Sequence, residues 1–310
     1  MSFWSDNRFL VTGGAGFLGS YLVENMKRKG AKYITIPLVD KMDLRVPENC
    51  RKAVKDNDVI IHVAGMVGGI GATKANPGRS FYDNAAMGLH MMEEARVAGA
   101  KKFVMIGSVC AYPKFIPVPF KEENLWDGPL EETNAPYGLA KKMILAQGQA
   151  YRQQYGFNAI HLLMVNLYGP RDNFDANSSH VIPAMIRKMV TAKREGVKEV
   201  VLWGDGSPTR EFLYVEDAAE GICLATERYD KIDPVNLGSG MEISIEDLAT
   251  TVAEYVEFTG KIVWDKTKPN GQPRRCLDVS RAQKEFGFKA KTKFSDGLRK
   301  TVDWYLSTLK

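Results

Sequence analysis

The chain has little cysteine and little histidine, four of each in 310 residues. Cys50, Cys110, Cys223 and Cys276 are scattered, with no CxxC pair and no histidine at zinc-ligand spacing, so reduced thiols and no metal site are expected. No stretch is long and apolar enough to span a membrane, and the opening residues, MSFWSDNRF, lack the basic-then-apolar order of a signal peptide. These absences predict a protein of the cytoplasm with no membrane partner. A formal net charge of +5, with no block of like charges, also argues against nucleic acid as a partner. Internal repeats and low-complexity segments are absent. What remains, 45% hydrophobic and 25% charged, is ordinary globular usage.

Against that background the glycines stand out by position. RFLVTGGAGFLGSYLVENMKRKG reads as a short apolar strand, a glycine turn and an amphipathic helix stopped by Gly30. Gly13, Gly16 and Gly19 lie three apart, where small residues let the backbone approach a pyrophosphate at a helix N-terminus. Asp40 lies 21 residues after Gly19, at the expected end of a second strand, YITIPLV, where a carboxylate would accept ribose hydroxyls. Further buried-strand runs, DVIIHVAG, KKFVMIGS, AIHLLMVNLYG and EVVLWGDG, alternate with helical segments. The pattern predicts an α/β fold, a Rossmann-type doubly wound parallel sheet. After Gly169 helices dominate, which predicts a smaller, interleaved, mostly helical lobe for substrate. The expected division is a dinucleotide-binding part over 1–170, rejoined by 211–240, and a lobe made of 171–210 and 241–310.

Two short stretches carry candidate chemistry. YGLAK places Tyr137 and Lys141 four apart, on one face of a helix expected to start near Asn134, where a lysine ammonium would favour the phenolate. GSVCAYPK puts Ser108 and Cys110 where a strand is expected to end, the position at which an open α/β sheet places its ligands. A lone cysteine there reads by itself as buried packing as readily as a tool.

Taken together, TGGAGFLG, GSVCAYPK and YGLAK resemble the extended short-chain dehydrogenase/reductase family. The resemblance implies that Tyr137 moves the proton on a sugar oxygen, that Ser108 hydrogen-bonds the same oxygen, and that Lys141 supports both Tyr137 and a nicotinamide ribose. VAGMVGGIGA, ETNAPYGLAKK, NLYGPRDNF, SSHVIPAMIRK, WGDGSPTREFLYVED and KPNGQPRR are similar, in order and over nearly the whole chain, to the GDP-L-fucose synthase branch. That branch epimerises C3 and C5 of a GDP-4-keto-6-deoxy sugar and then reduces C4. A 4-keto group acidifies both neighbouring C–H bonds, so inversion needs a base on one face and an acid on the other. The resemblance assigns these tasks to Cys110 and His180, groups suited to neutral pH.

The same resemblance implies cofactor contacts, for NADP(H) or NAD(H), at Gly13, Gly16, Phe17, Leu18, Gly19, Asp40, Lys41, Ala64, Asn84, Lys141, Val165, Asn166, Leu167 and His180. Substrate contacts are implied at Arg187, Trp203, Arg210 and Asn270, with Arg274 and Arg275 not separable from a solvated basic face. A homodimer acting on a GDP-sugar is expected.

One departure concerns the cofactor. Members of the branch that use NADPH carry an arginine near the end of the second strand, whereas IPLVDKMD has an uncharged residue there, with Asp40 and Lys41 beside it. Asp40 repels a 2′-phosphate and Lys41 partly compensates. Among related activities, dehydratases of the family carry an Asp-Glu pair directly after the active hydroxyl residue, where Val109 and Cys110 stand here. A nucleotide-sugar 4-epimerase has no use for a Cys110/His180 pair. The same chemistry on a GDP-4-keto-heptose or a colitose precursor remains open, because one hydroxyl is read by pocket shape.

Overall fold

A computed structural model of the protein describes residues 2–309. Its strands are β1 (Arg8–Thr12), β2 (Tyr33–Thr35), β3 (Val59–His62), β4 (Lys102–Ser108), β5 (Ala159–Met164), β6 (Asn166–Tyr168) and β7 (Glu199–Trp203). There follow β8 (Thr209–Arg210), β9 (Phe212–Tyr214), β10 (Val235–Leu237), β11 (Ile243–Ser244), β12 (Lys261–Asp265) and β13 (Arg274–Arg275). Six of them form one sheet in the order β10-β5-β4-β3-β1-β2. Every pairing in it is parallel.

Side chains on alternate residues of β1 point to opposite faces, and both faces are covered. Phe9 and Val11 pack with Leu22, Met26 and Ile222 from the helices Phe17–Arg28 and Val215–Arg228. Leu10 packs on the other side with Val54, Met91 and Ile144 from the helices Pro47–Val54, Pro77–Val97 and Ala135–Tyr155. This is the doubly wound arrangement. The chain goes outward from β1 to β2 and returns on the opposite side to β3, so a crevice opens at the carboxyl ends of β1 and β3.

Three runs behave differently from the sequence expectation. YITIPLV yields only the three residues of β2, because Pro37 has no N–H to extend a ladder; Asp40 therefore sits in an exposed turn five residues beyond the strand instead of at its end. AIHLLMVNLYG divides at Val165: β5 stays in the main sheet, and β6 leaves it to pair with β9. EVVLWGDG, expected to be a buried run of the main sheet, forms β7 and pairs only with β12; its burial alternates, leaving Val201 and Trp203 exposed.

The helices Val181–Glu195, Ile245–Val256 and Phe294–Ser307 enclose a second apolar core around Ile186, Met189, Val252 and Leu298. β9 leads directly into the helix Val215–Arg228, and β10 closes the edge of the main sheet.

Candidate active site

The turn after β1 accepts nothing larger than glycine at two points. Gly13 has φ +68°, and a Cβ there would lie 2.9 Å from the backbone of Ala64, at the end of β3. A Cβ on Gly19 would come within 2.0 Å of the Gly13 carbonyl oxygen. The helix Phe17–Arg28 begins at Gly16 with no side-chain cap, so its first N–H groups face the crevice without a protein acceptor from the cap residue. Phe17 and Leu18 form its first turn. Ala64 is fixed by its own N–H, which donates to Thr12 Oγ1 at 3.2 Å. Asn84, buried on the helix Pro77–Val97, accepts from the Met66 amide at 3.1 Å and donates to the Met66 carbonyl at 3.0 Å, clamping the loop after β3. Asp40 and Lys41 lie side by side on an exposed turn closed by the Lys41 amide on the Leu38 carbonyl at 3.1 Å.

β4 ends at Ser108, and a single 3-10 turn, Val109–Ala111, follows it. Ser108 caps this turn, its Oγ accepting from the Cys110 amide at 3.2 Å. Tyr137 and Lys141 come from the first turns of the helix Ala135–Tyr155. Gly138 lets this helix approach Cys110, since a Cβ there would lie 2.2 Å from the Cys110 carbonyl oxygen. The expected phenolate is not favoured in the free protein. Burial, reinforced by the nearby Cys110, raises the Tyr137 phenol above its ordinary value, and the Ser108 hydroxyl offsets this only in part. Lys141 Nζ lies 5.7 Å from the Tyr137 ring centre and donates to the Ile106 carbonyl at 3.0 Å. Burial lowers the Lys141 ammonium to about 8.

Val165, Asn166 and Leu167 occupy the break between β5 and β6, at the carboxyl edge of the sheet; Asn166 Nδ2 donates to the Glu211 carbonyl at 3.1 Å. His180 is the residue before the helix Val181–Glu195, partly exposed and below its ordinary imidazole value because of burial. The segment just before it meets the glycine loop after β3, where the Gly69 amide donates to the Ser178 carbonyl at 3.1 Å. A Cβ on Gly69 would meet the Ser179 carbonyl oxygen at 2.6 Å, and one on Gly65 would stand 3.7 Å from Lys141 Nζ. One loop thus touches both the lysine and the segment bearing the histidine.

Arg187 lies two turns along the helix from His180, and its Nε is buried with no hydrogen-bond partner among the described residues. Arg210, on β8, donates to the Thr209 carbonyl at 2.7 Å and to the Asn270 carbonyl at 3.2 Å. Burial and then Arg275 lower the Arg210 guanidinium to about 10. Asn270 Oδ1 accepts from the Asp205 amide at 3.0 Å. Trp203 ends β7, half exposed, with its ring edge 3.7 Å from where a Cβ of Gly71 would be. Arg210 and Asn270 are therefore in contact, and Trp203 faces the short helix Ile70–Ala75 that follows the glycine loop.

Residues 9–238 match the profile of the NAD dependent epimerase/dehydratase family. The chain belongs to this family. A GDP-L-fucose synthase of Sinorhizobium fredii is 39% identical over 304 residues, 97% of this chain and 96% of the relative. Two solved structures are similar over nearly their full length. A GDP-6-OMe-4-keto-L-xylo-heptose reductase from C. jejuni gives a TM-score of 0.94 at 26% identity, covering 99% of this chain and 100% of the other. A GDP-L-fucose synthetase from Naegleria fowleri bound to NADP gives 0.87 at 28% identity, covering 100% and 97%.

This epimerase/dehydratase-family protein is an NAD(P)-dependent enzyme of the epimerase/reductase type. Its glycine turn fits such a cofactor: glycine at 13 and 19 lets the turn pack tightly against Ala64 and against the start of the helix, and the uncapped helix start can receive a pyrophosphate. Among the described residues no helix is long and apolar enough to cross a membrane.

Two buried residues near the candidate site, Glu131 and Glu211, escaped the sequence reading, and a third, Arg275, was named there only together with Arg274. Glu131 is buried; burial would raise its carboxyl, but hydrogen bonds from Thr133 and Asn134 hold it below the ordinary range. Glu211 is also buried, and its carboxylate accepts from the amides of Ser239, Gly240 and Leu277 at 2.6, 2.7 and 2.6 Å. It joins β8 to the segment after β13. Arg275 is buried on β13, and its Nη1 lies 3.6 Å from Cys110 Sγ. KPNGQPRR gave no means of separating Arg275 from its exposed neighbour Arg274, which pairs with Glu242.

Proposed function

We propose that this enzyme epimerises C3 and C5 of a GDP-4-keto-6-deoxy sugar through an enolate and reduces its C4 ketone, as in GDP-L-fucose synthesis. The observation that carries the reading is the placement of Cys110 in the short turn directly after Ser108, beside Tyr137 and in contact with Arg275. A hydride machine alone needs no thiol at that point. Ser108 and Tyr137 donate to the C4 carbonyl oxygen, which acidifies the neighbouring C–H bonds. Cys110, as thiolate, takes the proton from C3 or C5, and the electron pair moves onto the oxygen. His180 returns a proton to carbon from the other face. Because burial disfavours the imidazolium in the free protein, His180 gains its proton as the diphosphate charge enters the cleft.

A nicotinamide dinucleotide held by the glycine turn would supply hydride to C4. Tyr137, kept protonated by its burial, gives its proton to the C4 oxygen, and Lys141 restores charge balance from behind. Gly13, Gly16, Phe17, Leu18 and Gly19 hold the pyrophosphate, Asp40 and Lys41 face the adenine-side ribose, and Ala64, Asn84 and Val165 to Leu167 line the nicotinamide end. Arg187 and Arg210 bind the substrate diphosphate, and Trp203 and Asn270 line its sugar-nucleotide path; the unpartnered Nε of Arg187 supports this.

A second reading keeps the mechanism and changes the sugar to a heptose, as in the similar heptose reductase. Incubation with GDP-4-keto-6-deoxy-mannose and with GDP-4-keto-heptoses, products resolved by NMR, separates the two. Absence of C3 or C5 inversion with every 4-keto sugar would remove the epimerase part. A homodimer fits Phe81, Tyr82, Leu139 and Tyr155, apolar and exposed on the long paired helices, and light scattering tests it. Four free cysteines fit the reducing cytoplasm as the place of action.

A further inference from the structure

Resting on the reading of Cys110 as a base, we infer that Arg275 is the positioning residue for that base: its guanidinium holds the Cys110 sulfur toward the cleft and favours the thiolate. Arg275 Nη1 donates to Cys110 Sγ at 3.6 Å, while its Nε donates to Gln272 Oε1 at 2.9 Å. Gln272 is itself anchored, Nε2 donating to the Lys114 carbonyl at 2.8 Å and to the Pro113 carbonyl at 3.4 Å. That segment directly follows the turn bearing Cys110. The guanidinium is thus fixed to the same loop whose sulfur it faces, and the side chain is 7% exposed, so its donor is not free to wander into solvent.

The charged and titratable groups around the sulfur come from every neighbouring element. Ser108 and Tyr137 flank it from the strand end and the helix. Arg210 on β8 and Arg275 on β13 bring positive charge, and Glu131 interacts with both. Glu131 is already held by Thr133 and Asn134, so the two arginines are not fully neutralised by it. A fixed cation in contact with a sulfur stabilises the thiolate over the thiol. When Cys110 takes the C3 or C5 proton, an S–H bond forms, the C–H bond breaks and the electron pair passes to the carbonyl oxygen. Arg275 keeps the sulfur in place through that transfer.

The test uses the substrate-free enzyme and iodoacetamide, which forms an S–C bond with loss of iodide only at a thiolate. The other cysteines are buried, and burial pushes the Cys50 and Cys276 thiols up to about 12 and Cys223 higher still, so labelling read by peptide mass spectrometry reports Cys110. Arg275→Met is expected to slow labelling of Cys110 at neutral pH at least ~10-fold and to displace the pH-rate profile to higher pH, with Arg275→Lys recovering most of the rate. If Arg275→Met does not fold, Arg275→Gln carries the same comparison without the charge. Unchanged labelling in a folded variant, with only the substrate KM raised, would show that Arg275 serves the anionic substrate alone and would overturn the inference. Failure of the base reading looks different: Cys110 would label normally in every variant-independent control, yet Cys110→Ser would still exchange substrate protons with solvent.

Discussion

Lys141 Nζ donates to the carbonyl of Ile106, two residues before Ser108, at 3.0 Å, so the helix that bears Tyr137 is tied to the strand that bears Ser108 through the lysine itself. The ammonium is charged below about 8 and neutral above it, because burial disfavours its charged form. Reduction of C4 is expected to decline as pH rises through that value. Lys141→Met should lose that alkaline limb along with most of the activity, measured by nicotinamide absorbance across pH.

Tyr137→Phe should fold normally, since among the described residues the phenol hydroxyl makes no hydrogen bond to backbone, and should reduce the ketone at least ~100-fold more slowly. Stopped-flow reduction at saturating cofactor checks this. Near-normal rates would assign the proton to another group.

Removal of the base should separate the two halves of the reaction. Cys110→Ser is expected to stop solvent deuterium from entering the 4-keto sugar, because a hydroxyl is far too weak a base at neutral pH. Reduction of the unepimerised ketone should continue, as Ser108, Tyr137 and Lys141 are untouched. His180→Gln should impair protonation on carbon while leaving nicotinamide binding largely intact. Mass spectrometry of the recovered sugar reads both variants.

Cofactor choice rests on the exposed pair Asp40 and Lys41. NADH is expected to serve at least comparably to NADPH, and Asp40→Ala to shift the ratio toward NADPH by about 1 to 2 kcal/mol through relieved charge repulsion. Steady-state kcat/KM with each dinucleotide measures the shift. A strong NADPH preference in the unmodified enzyme, lost on replacing Lys41, would transfer the role to Lys41.

Lys102 makes a prediction about stability alone. Its buried ammonium donates to the carbonyls of Thr226 and Tyr229 at 2.6 and 2.7 Å and to Asp230 at 2.9 Å, closing the end of the helix Val215–Arg228. Lys102→Met leaves those carbonyls buried without a donor and should cost about 2 to 4 kcal/mol. A urea midpoint lowered with the slope unchanged is the expected readout.

The main sheet was legible because its strands are continuous apolar runs bounded by turn residues; KKFVMIGS and DVIIHVAG fall where β4 and β3 do. EVVLWGDG misled because a strand of β-branched residues looks the same whether it joins a six-stranded sheet or a two-stranded ribbon, and only pairing decides. Ser108, Tyr137 and Lys141 could be read because each sits at a fixed offset from a strand end or a helix start. Arg275 could not. Its importance comes from a contact across 165 residues of chain, and nothing local distinguishes it from Arg274. The shift of Tyr137 was misread for a related reason: spacing shows a lysine nearby but not the burial that outweighs it.

The break at Val165 sends the chain out of the main sheet just where the sheet's carboxyl edge is complete. The proposed carbonyl-handling residues Ser108, Tyr137 and Lys141 are built before that point, and His180, Arg187, Trp203, Arg210 and Asn270 all come after it. The two sets meet across a loop of glycines and main-chain atoms and through a few side-chain contacts, Arg275 on Cys110 among them. A change of sugar can therefore be met by substitutions in the later half of the chain that spare those few contacts, with the earlier half left as it is.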